Sequence, residues 1–444
     1  MQGSEDLKIA KGSILGHLYK VEASLGEGGF GVVKKCRNIE TDQCVAIKVN
    51  KNDLDIFHQA RQEIAILKKL RSLDLETCNI VKWNGYFFNK ANICLNFELL
   101  DQSLYSYTKE QPDQCLPMTE LRSVLYQMTT ALSHLSSMGI VHADFKTDNV
   151  MVVDRHKKPL RVKLIDFGLA HPTYACQPGA CVQTIWYRAP EVSLHVPFNE
   201  AIDMWSLGLA AAELAVGYVL YPGNMDYDVL SFIIATQGQP PDHVLDQGMD
   251  TDYYFHPDSD GPQRWRFKTP EEFECDSGFQ PVDTRYLCLK SLDDLEELME
   301  VNRQNNDHCL LLDLIKRMLH LDPERRIKPQ EVLQHPFLSD SLPQTSCVDV
   351  VINVTDTEET DEPQDKATEE KAPEDSQPPS WSQTKGPDNI LHLAQNTTSS
   401  LTDEPEDKTT EEVEIQPETK VKKVGWFRRT LKRIRKTFRS IFKK

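Results

Sequence analysis

The sequence predicts an α+β fold in two lobes, a small β-rich lobe ahead of a larger helical one, followed by a disordered tail that ends in an amphipathic helix. Three observations carry that prediction. Residues 25–50 read as short β-rich runs punctuated by glycines and turn formers. Residues 1–340 alternate apolar runs with Gly, Pro, Asn and Asp and hold most of the aromatic residues, as a packed region does. Beyond residue 345 the composition changes sharply, to a polar acidic tract and then a basic periodic one.

The 444 residues are enough for two or three domains, and a hydrophobic share of 39% is slightly low for a chain packed throughout. The opening "MQGSEDLKIAKGS" has no apolar run, so no signal peptide is expected, and no run of eighteen apolar residues marks a membrane span. The eleven cysteines are scattered without a C-x-x-C pair, which points to reduced thiols and an intracellular protein. The net charge of −18 is unevenly spread: residues 345–419 carry −16 and residues 420–444 carry +12, leaving −14 for residues 1–344. An acidic body disfavours broad nucleic-acid binding there. Affinity for anionic surfaces belongs to the last 25 residues.

In the first lobe, "LGEGGFGVV" places Gly26, Gly28 and Gly31 in G-x-G-x-x-G spacing, followed by Val33. A dinucleotide-binding turn needs a helix next. Here "VVKKC" and "CVAIKV" are instead two β-rich runs joined by "IETDQ", a strand–turn–strand hairpin with Thr41 and Asp42 at the turn. The glycines then cap a hairpin whose backbone N–H groups can approach phosphate oxygens. "VAIK" ends in Lys48, a cation for those phosphates. "IFHQARQEIAILKKL" has apolar residues at 57, 64, 67 and 70, close to helical period. Glu63 within it reads as the ion-pair partner of Lys48 rather than as a solvated surface residue.

In the second lobe, "VHADFKTDN" places Asp144 to orient and accept the proton of a hydroxyl, Lys146 to balance charge on a transferred phosphoryl group, and Asn149 to bind Mg²⁺. "KLIDFGLA" supplies Asp166 for the Mg²⁺ that bridges the β- and γ-phosphates, the Mg²⁺ on Asn149 being the second one, with Phe167 packing beneath. Phosphoryl transfer needs positioning and charge stabilisation, and this set supplies both. "WYRAPE" and "DMWSLG" fit a helical lobe that shapes a peptide site. Glu191 is expected to pair with Arg326 of "LDPERRI" in a structural salt bridge. His142 is read as a packing and hydrogen-bonding residue, since Asp144 holds the better position for a base.

With these motifs in order, residues 19–338 resemble the bilobal eukaryotic protein kinase fold. "HADFK", "AIDMWSLGLAAAEL", "LYPG", "ATQGQP" and "WRFKTPEE" are similar to the homeodomain-interacting protein kinase family, within the CMGC group and related to the dual-specificity tyrosine-regulated kinases. The resemblance implies an ATP- and Mg²⁺-dependent serine/threonine kinase, often proline-directed, acting on nuclear transcription regulators, in the nucleus or cytoplasm. It implies that residues 1–18 are an extension and that about 250–305 form the group's insert. It also implies ATP contacts from Leu25, Val33 and Ala46, a gatekeeper at Phe97, and adenine contacts from the backbone of Glu98 and Leu100. Catalytic loops of this family also read H-A-D, so Ala143 is a family trait. Two departures stand out. Family members carry an activation-loop Tyr phosphorylated in cis, where this chain has Cys181; Ile185 replaces an Arg able to contact that phosphate. Arg188 remains, available to orient the peptide-binding segment. Tyr174 is at the wrong offset to substitute. Thr147-Asp148 stands where Pro-Glu is usual, a loss of a rigid turn that predicts slower turnover.

Residues 345–419 are too poor in apolar residues to offset ordering entropy and are expected to be disordered. "TDEPQDKATEE" (360–370) returns as "TDEPEDKTTEE" (402–412), a duplicated acidic tract. Val351, Ile352 and Val354 before acidic residues are similar to a SUMO-interacting strand; a chance β-rich patch reads equally well. In 420–444, Phe427, Leu431, Ile434, Phe438 and Ile441 fall on one helical face among Lys and Arg, with Trp426 at its entry. Peripheral association with an anionic membrane, importin or nucleic-acid contact, calmodulin docking and folding back on the acidic body all stay open for this tail. A pseudokinase scaffold, or a tail-driven binding module with secondary kinase activity, are the alternatives to an active enzyme. The presence of Lys48, Glu63, Asp144, Asn149 and Asp166 disfavours the first.

Overall fold

A computed structural model of the chain describes residues 9–74, 76–259, 261–299 and 307–339, all within a compact unit spanning residues 1–350. The acidic residues 345–419, with Val351–Val354 among them, the basic residues 420–444, residues 1–8 and parts of the expected insert lie outside the described residues. The predicted α+β architecture is present: a β-rich lobe followed by a larger helical one.

The first lobe is a six-stranded antiparallel sheet built from β1 (Ile14–Leu15), β2 (Tyr19–Glu27), β3 (Gly31–Asn38), β4 (Cys44–Asn50), β5 (Trp83–Asn89) and β6 (Asn92–Glu98), in the order β1-β2-β3-β4-β6-β5. Alternation sorts its two faces. Val32, Val45, Ile47 and Val49 bury one face with Leu15, Val21, Cys36 and Cys94. Register puts Gly26, Val33, Lys48 and Leu95 in one row across the other face, and Ala46 with Phe97 in the next. The residues expected to contact ATP are therefore neighbours across strands as well as along them. β3 crosses β4 so closely that a β-carbon at Gly31 would lie 2.1 Å from the Val49 carbonyl oxygen, a position only glycine tolerates.

Helix α1 (Leu54–Leu70) follows β4. Asp53 caps it, its side chain accepting from the Asp55 and Ile56 N–H groups at 2.9 and 3.4 Å, and Lys68 and Lys69 sit in the last turn where the helix dipole favours cations. Ala60, Ile64, Leu67 and Leu70 are buried along one stripe, each large side chain contributing about 1.5–3 kcal/mol, and Glu63 is buried in that same stripe. Phe57, expected to share it, is instead 37% exposed, since it precedes Ala60, the first buried residue of the helix.

After the short α2 (Leu104–Glu110), the second lobe is organised by α3 (Met118–Ser137) and, following the one-turn α4 (Pro190–Ser193), by α5 (Ala201–Val216) and α6 (Asp226–Gln237). α5 is buried nearly all round, including Asp203 and Glu213, and forms the centre of the main core. After β7 (Ile140–Val141), the short hairpin β8 (Val150–Val152) and β9 (Val162–Leu164) fixes the chemistry-bearing loops. Val150 pairs with Leu164, and the Ile165 N–H donates to the Asn149 carbonyl at 2.9 Å, so Asn149 before β8 and Asp166 after β9 emerge side by side. Within the expected insert, Phe255 and Phe273 join Tyr227, Leu194 and Leu245 in a second core, with Tyr227 stacked on Phe273 at 4.1 Å. Among the described residues no helix is long and apolar enough to cross a membrane.

Candidate active site

Three charges from distant parts of the sequence meet at the nucleotide side. The Lys48 ammonium lies 3.0 and 2.9 Å from the two Glu63 oxygens and 2.7 Å from Asp166 Oδ1. Glu63 is only 2% exposed, so its carboxylate depends on Lys48 for compensation. Burial pushes Lys48 toward neutrality, but the two carboxylates outweigh it and its pKa is raised. Burial raises the pKa of Glu63 against the pull of Lys48, whereas at Asp166 the Lys48 cation outweighs burial and the pKa is lowered. A second contact steadies this cluster. Gln59, one turn before Glu63 on α1, donates from Nε2 to the Gly168 carbonyl at 2.9 Å. Sequence reasoning missed it, since a glutamine on a helix carries no signal of its partner.

The expected nucleotide cradle has room that the protein does not fill. Beyond the immediate chain neighbours, no atom of the described residues lies within 4 Å of where β-carbons at Gly26, Gly28 and Gly29 would sit, and the loop closes through a Gly28 N–H to Gly31 carbonyl bond of 2.9 Å. Leu25 at the entrance is 48% exposed. Val33, Ala46 and Phe97 are half-buried on the same sheet face. Leu100 is 9% exposed, yet neither its N–H nor its carbonyl is hydrogen-bonded among the described residues. The Glu98 side chain is engaged by Lys163 at 2.6 Å and by the Lys82 N–H at 2.6 Å, and the Glu98 N–H in turn donates to the Lys82 carbonyl at 3.0 Å.

On the chemical side Asp144, Lys146 and Asn149 converge. Asp144 Oδ2 accepts from Lys146 Nζ at 2.9 Å and from Asn149 Nδ2 at 3.0 Å, while Oδ1 accepts from the Thr184 hydroxyl at 2.7 Å and its N–H at 3.1 Å. Lys146 also donates to the Thr184 hydroxyl at 2.7 Å. Asn149 spends its amide nitrogen on Asp144, so Asn149 Oδ1 and Asp166 Oδ2 remain without a hydrogen-bond donor among the described residues. Two hard oxygens left open suit Mg²⁺, which takes one or two protein oxygens and completes its shell with phosphates and water.

The backbone beneath this loop is held in an unusual state. Ala143, Asp166 and Gln183 all have φ near +60°, a left-handed conformation costly for residues with a β-carbon. Buried Asp203 on α5 accepts from the His142 and Ala143 N–H groups at 2.7 and 2.9 Å, and the Gln183 N–H donates to the Ala143 carbonyl at 2.7 Å. Burial raises the Asp203 pKa, opposed by His142. His142 is fully buried, 3.0 Å from the Ile165 carbonyl through Nε2 and edge-on to Phe167, as its packing reading requires. Asp203, Gln183 and Thr184 were not singled out from the sequence. A buried Asp inside the apolar run of α5 was the signal available for the first.

At the peptide side Arg188 donates to both Asp226 oxygens at 2.9 Å, to the Val182 carbonyl at 3.1 Å and to the Gln183 carbonyl at 3.0 Å. Glu191 and Arg326 form a fully buried bidentate pair at 2.5 and 3.0 Å. Cys181 is exposed, and Ile185 packs against the main core. Thr147 does not loosen the loop as expected. It is 1% exposed and opens a tight 3₁₀ turn over residues 147–149, closed by the Asn149 N–H to Lys146 carbonyl bond at 3.0 Å.

The profile of the protein kinase domain matches residues 19–338. The chain belongs to the protein kinase family. Its similarity within that family runs to the homeodomain-interacting protein kinases. It is 40% identical over 330 residues to homeodomain-interacting protein kinase 2 of Mesocricetus auratus, covering 72% of this chain and 28% of the relative. It is 36% identical over 360 residues to homeodomain-interacting protein kinase 1 of Caenorhabditis elegans, covering 76% and 43%. It is 36% identical over 342 residues to homeodomain-interacting protein kinase 4 of Homo sapiens, covering 72% and 55%. This kinase chain thus spans between 28% and 55% of the length of these curated relatives.

Proposed function

We propose that this chain is an active protein serine/threonine kinase, using ATP and Mg²⁺ to phosphorylate protein hydroxyls. The observation that carries the reading is the convergence of Asp144, Lys146, Asn149 and Asp166 beside the Lys48–Glu63 pair. In this reading Gly26, Gly28 and Gly31 cover the phosphates, and Leu25, Val33, Ala46, Phe97, Glu98 and Leu100 form the adenine pocket. Asn149 and Asp166 hold Mg²⁺, which when bound neutralises charge shared between the β- and γ-phosphates. Glu63 holds Lys48 extended toward the nucleotide. Asp144, aligned by Thr184 and Asn149, orients the substrate hydroxyl and takes its proton, while Lys146 offsets charge at the same place. Arg188 fixes the peptide segment, and the Glu191–Arg326 pair fixes the lobe beneath it.

A proline-directed preference is supported by Gln183. Its left-handed backbone and the Arg188 bond at 3.0 Å occupy its carbonyl. The residue after the phosphorylated hydroxyl then finds no acceptor for its N–H there, and proline has no N–H to satisfy. Transcription regulators as substrates, a nuclear or cytoplasmic location, a SUMO contact through Val351–Val354, and a membrane, importin or calmodulin contact through residues 420–444 rest on sequence alone. Imaging a tagged chain with and without residues 420–444 tests the tail. The kinase reading is tested with purified chain, Mg-ATP and a basic Ser-Pro peptide. Phosphate incorporation that Asp166→Asn abolishes is expected; incorporation indifferent to that change, or none from the unaltered chain, favours a scaffold.

A further inference from the structure

We propose that Thr147 is a positioning residue whose hydroxyl, with Tyr187 and Glu213, fastens the peptide-site segment to the catalytic loop in place of a phosphate on the activation segment. The proposal rests on the protein kinase reading above.

Thr147, Tyr187 and Glu213 come from three elements: the catalytic loop, the peptide-site segment and the buried helix α5. Their oxygens meet in a triangle. The Tyr187 hydroxyl donates to Glu213 Oε2 at 2.5 Å, the Thr147 hydroxyl lies 3.2 Å from the same oxygen, and 3.2 Å separates the two hydroxyls. All three residues are 5% exposed or less. With no cation in hydrogen-bonding contact among the described residues, the buried Glu213 carboxylate depends on such donors. Lys109 comes nearest in kind: it shares with Glu213 the wall of a cavity of about 10 Å³, room for about one water, but its ammonium is directed to the Gln114 side chain at 3.5 Å and the Gly217 carbonyl at 3.3 Å. Proline, the usual residue at position 147, has no donor to give. Threonine supplies the second one.

The triangle closes a larger ring. Thr184 is tied to Asp144 and Lys146 through its hydroxyl. A tight turn, with the Tyr187 N–H donating to the Thr184 carbonyl at 2.8 Å, carries the chain to Tyr187. Tyr187 returns to Thr147, the neighbour of Lys146. Segment 184–187 is therefore fastened to residues 144–147 at both of its ends. The polar tethers expected elsewhere are missing: Ala143 and Ile185 offer no side-chain cation, and exposed Cys181 offers no hydroxyl to phosphorylate. The threonine substitution falls where it adds an internal tether to a segment that lacks the external one.

The test is hydrogen exchange by mass spectrometry on the full chain, unaltered and as Thr147→Val, Thr147→Ser and Tyr187→Phe, alongside peptide kinetics. Thr147→Val keeps shape and removes the donor. The account expects amides of residues 184–188 to exchange about 10-fold faster, with the Lys48–Glu63 region unmoved. Peptide kcat/KM should fall about 10-fold with Mg-ATP Kd unchanged, and Thr147→Ser should restore both readouts to within about 3-fold. In the double variant Thr147→Val/Tyr187→Phe the losses should not multiply, because both changes cut one unit. Equal behaviour of Val and Ser, multiplying losses, or unmoved exchange would overturn the proposal. Should Thr147→Val fail to fold, Tyr187→Phe alone must loosen residues 184–188, and its failure to do so is equally fatal. The two readings also separate: exchange that responds in a chain without phosphotransfer retains the clamp and removes the kinase assignment, and an active chain with unmoved exchange does the reverse.

Discussion

The nucleotide side and the peptide side of this site are held together by different means. Lys48, Glu63 and Asp166 form a knot of full charges, each from its own motif, with separations of 2.7–3.0 Å. Residues 183–187 are held instead by backbone and hydroxyl contacts, ahead of the Arg188–Asp226 ion pair: Gln183 to Ala143, Thr184 to Asp144 and Lys146, Tyr187 to Glu213. Charge chemistry tolerates little variation, because each ion must be paired once buried. A segment held by many small contacts can trade one tether for another. The departures from the family pattern, Thr147, Cys181 and Ile185, and the family's own Ala143 all fall at or around the second assembly.

The comparison breaks first at Lys48. Lys48→Met removes the cation between two carboxylates and leaves Glu63 buried without a partner. Phosphotransfer should fall by about 10²–10³-fold in kcat, measured with Ser-Pro peptide at saturating Mg-ATP. Retention of most activity would mean that the charge cluster is not the nucleotide machinery. Gln59 sharpens the boundary between the two assemblies, since its amide reaches from α1 to the Gly168 carbonyl. Gln59→Leu deletes one hydrogen bond, and a loss of roughly 5–10-fold in kcat/KM is expected, with Lys48 and Glu63 still paired. Cys181 gives the smallest effect. Cys181→Asp places a negative charge on an exposed residue, and no basic side chain remains at 143 or 185 to receive it. Activity should change less than about 2-fold, as is usual for exposed sites; a large gain would point to a cation site that responds to charge on this segment.

Much of the first assembly was legible because its residues sit in fixed motifs and its strands alternate cleanly. "VAIK" and "KLIDFGLA" name Lys48 and Asp166, and helical period put Glu63 on α1. The reading failed where a side chain's role depends on what folds against it. Phe57 matched the helical period yet is exposed, because position along the helix, not period alone, decides what covers a face. Thr147 looked like a lost constraint, since a sequence shows the missing proline ring but not the Tyr187 and Glu213 oxygens waiting for a hydroxyl. Gln183 gave no warning of its left-handed backbone, nor Asp203 of the two amides it receives. Both are consequences of long-range packing. The Glu191–Arg326 pair was found despite 135 residues of separation, because both partners lie in recognisable phrases.

The central claim is that the phosphoryl-transfer residues are intact and the peptide segment is fastened from within, so that catalysis does not wait for activation-loop phosphorylation. The most direct measurement is peptide phosphotransfer by the full chain before and after exhaustive phosphatase treatment, with mass spectrometry verifying that residues 171–190 carry no phosphate at the start of the assay. The account predicts the same kcat/KM for both samples, within about 2-fold. A dephosphorylated chain that stays silent until another kinase modifies that segment would contradict it.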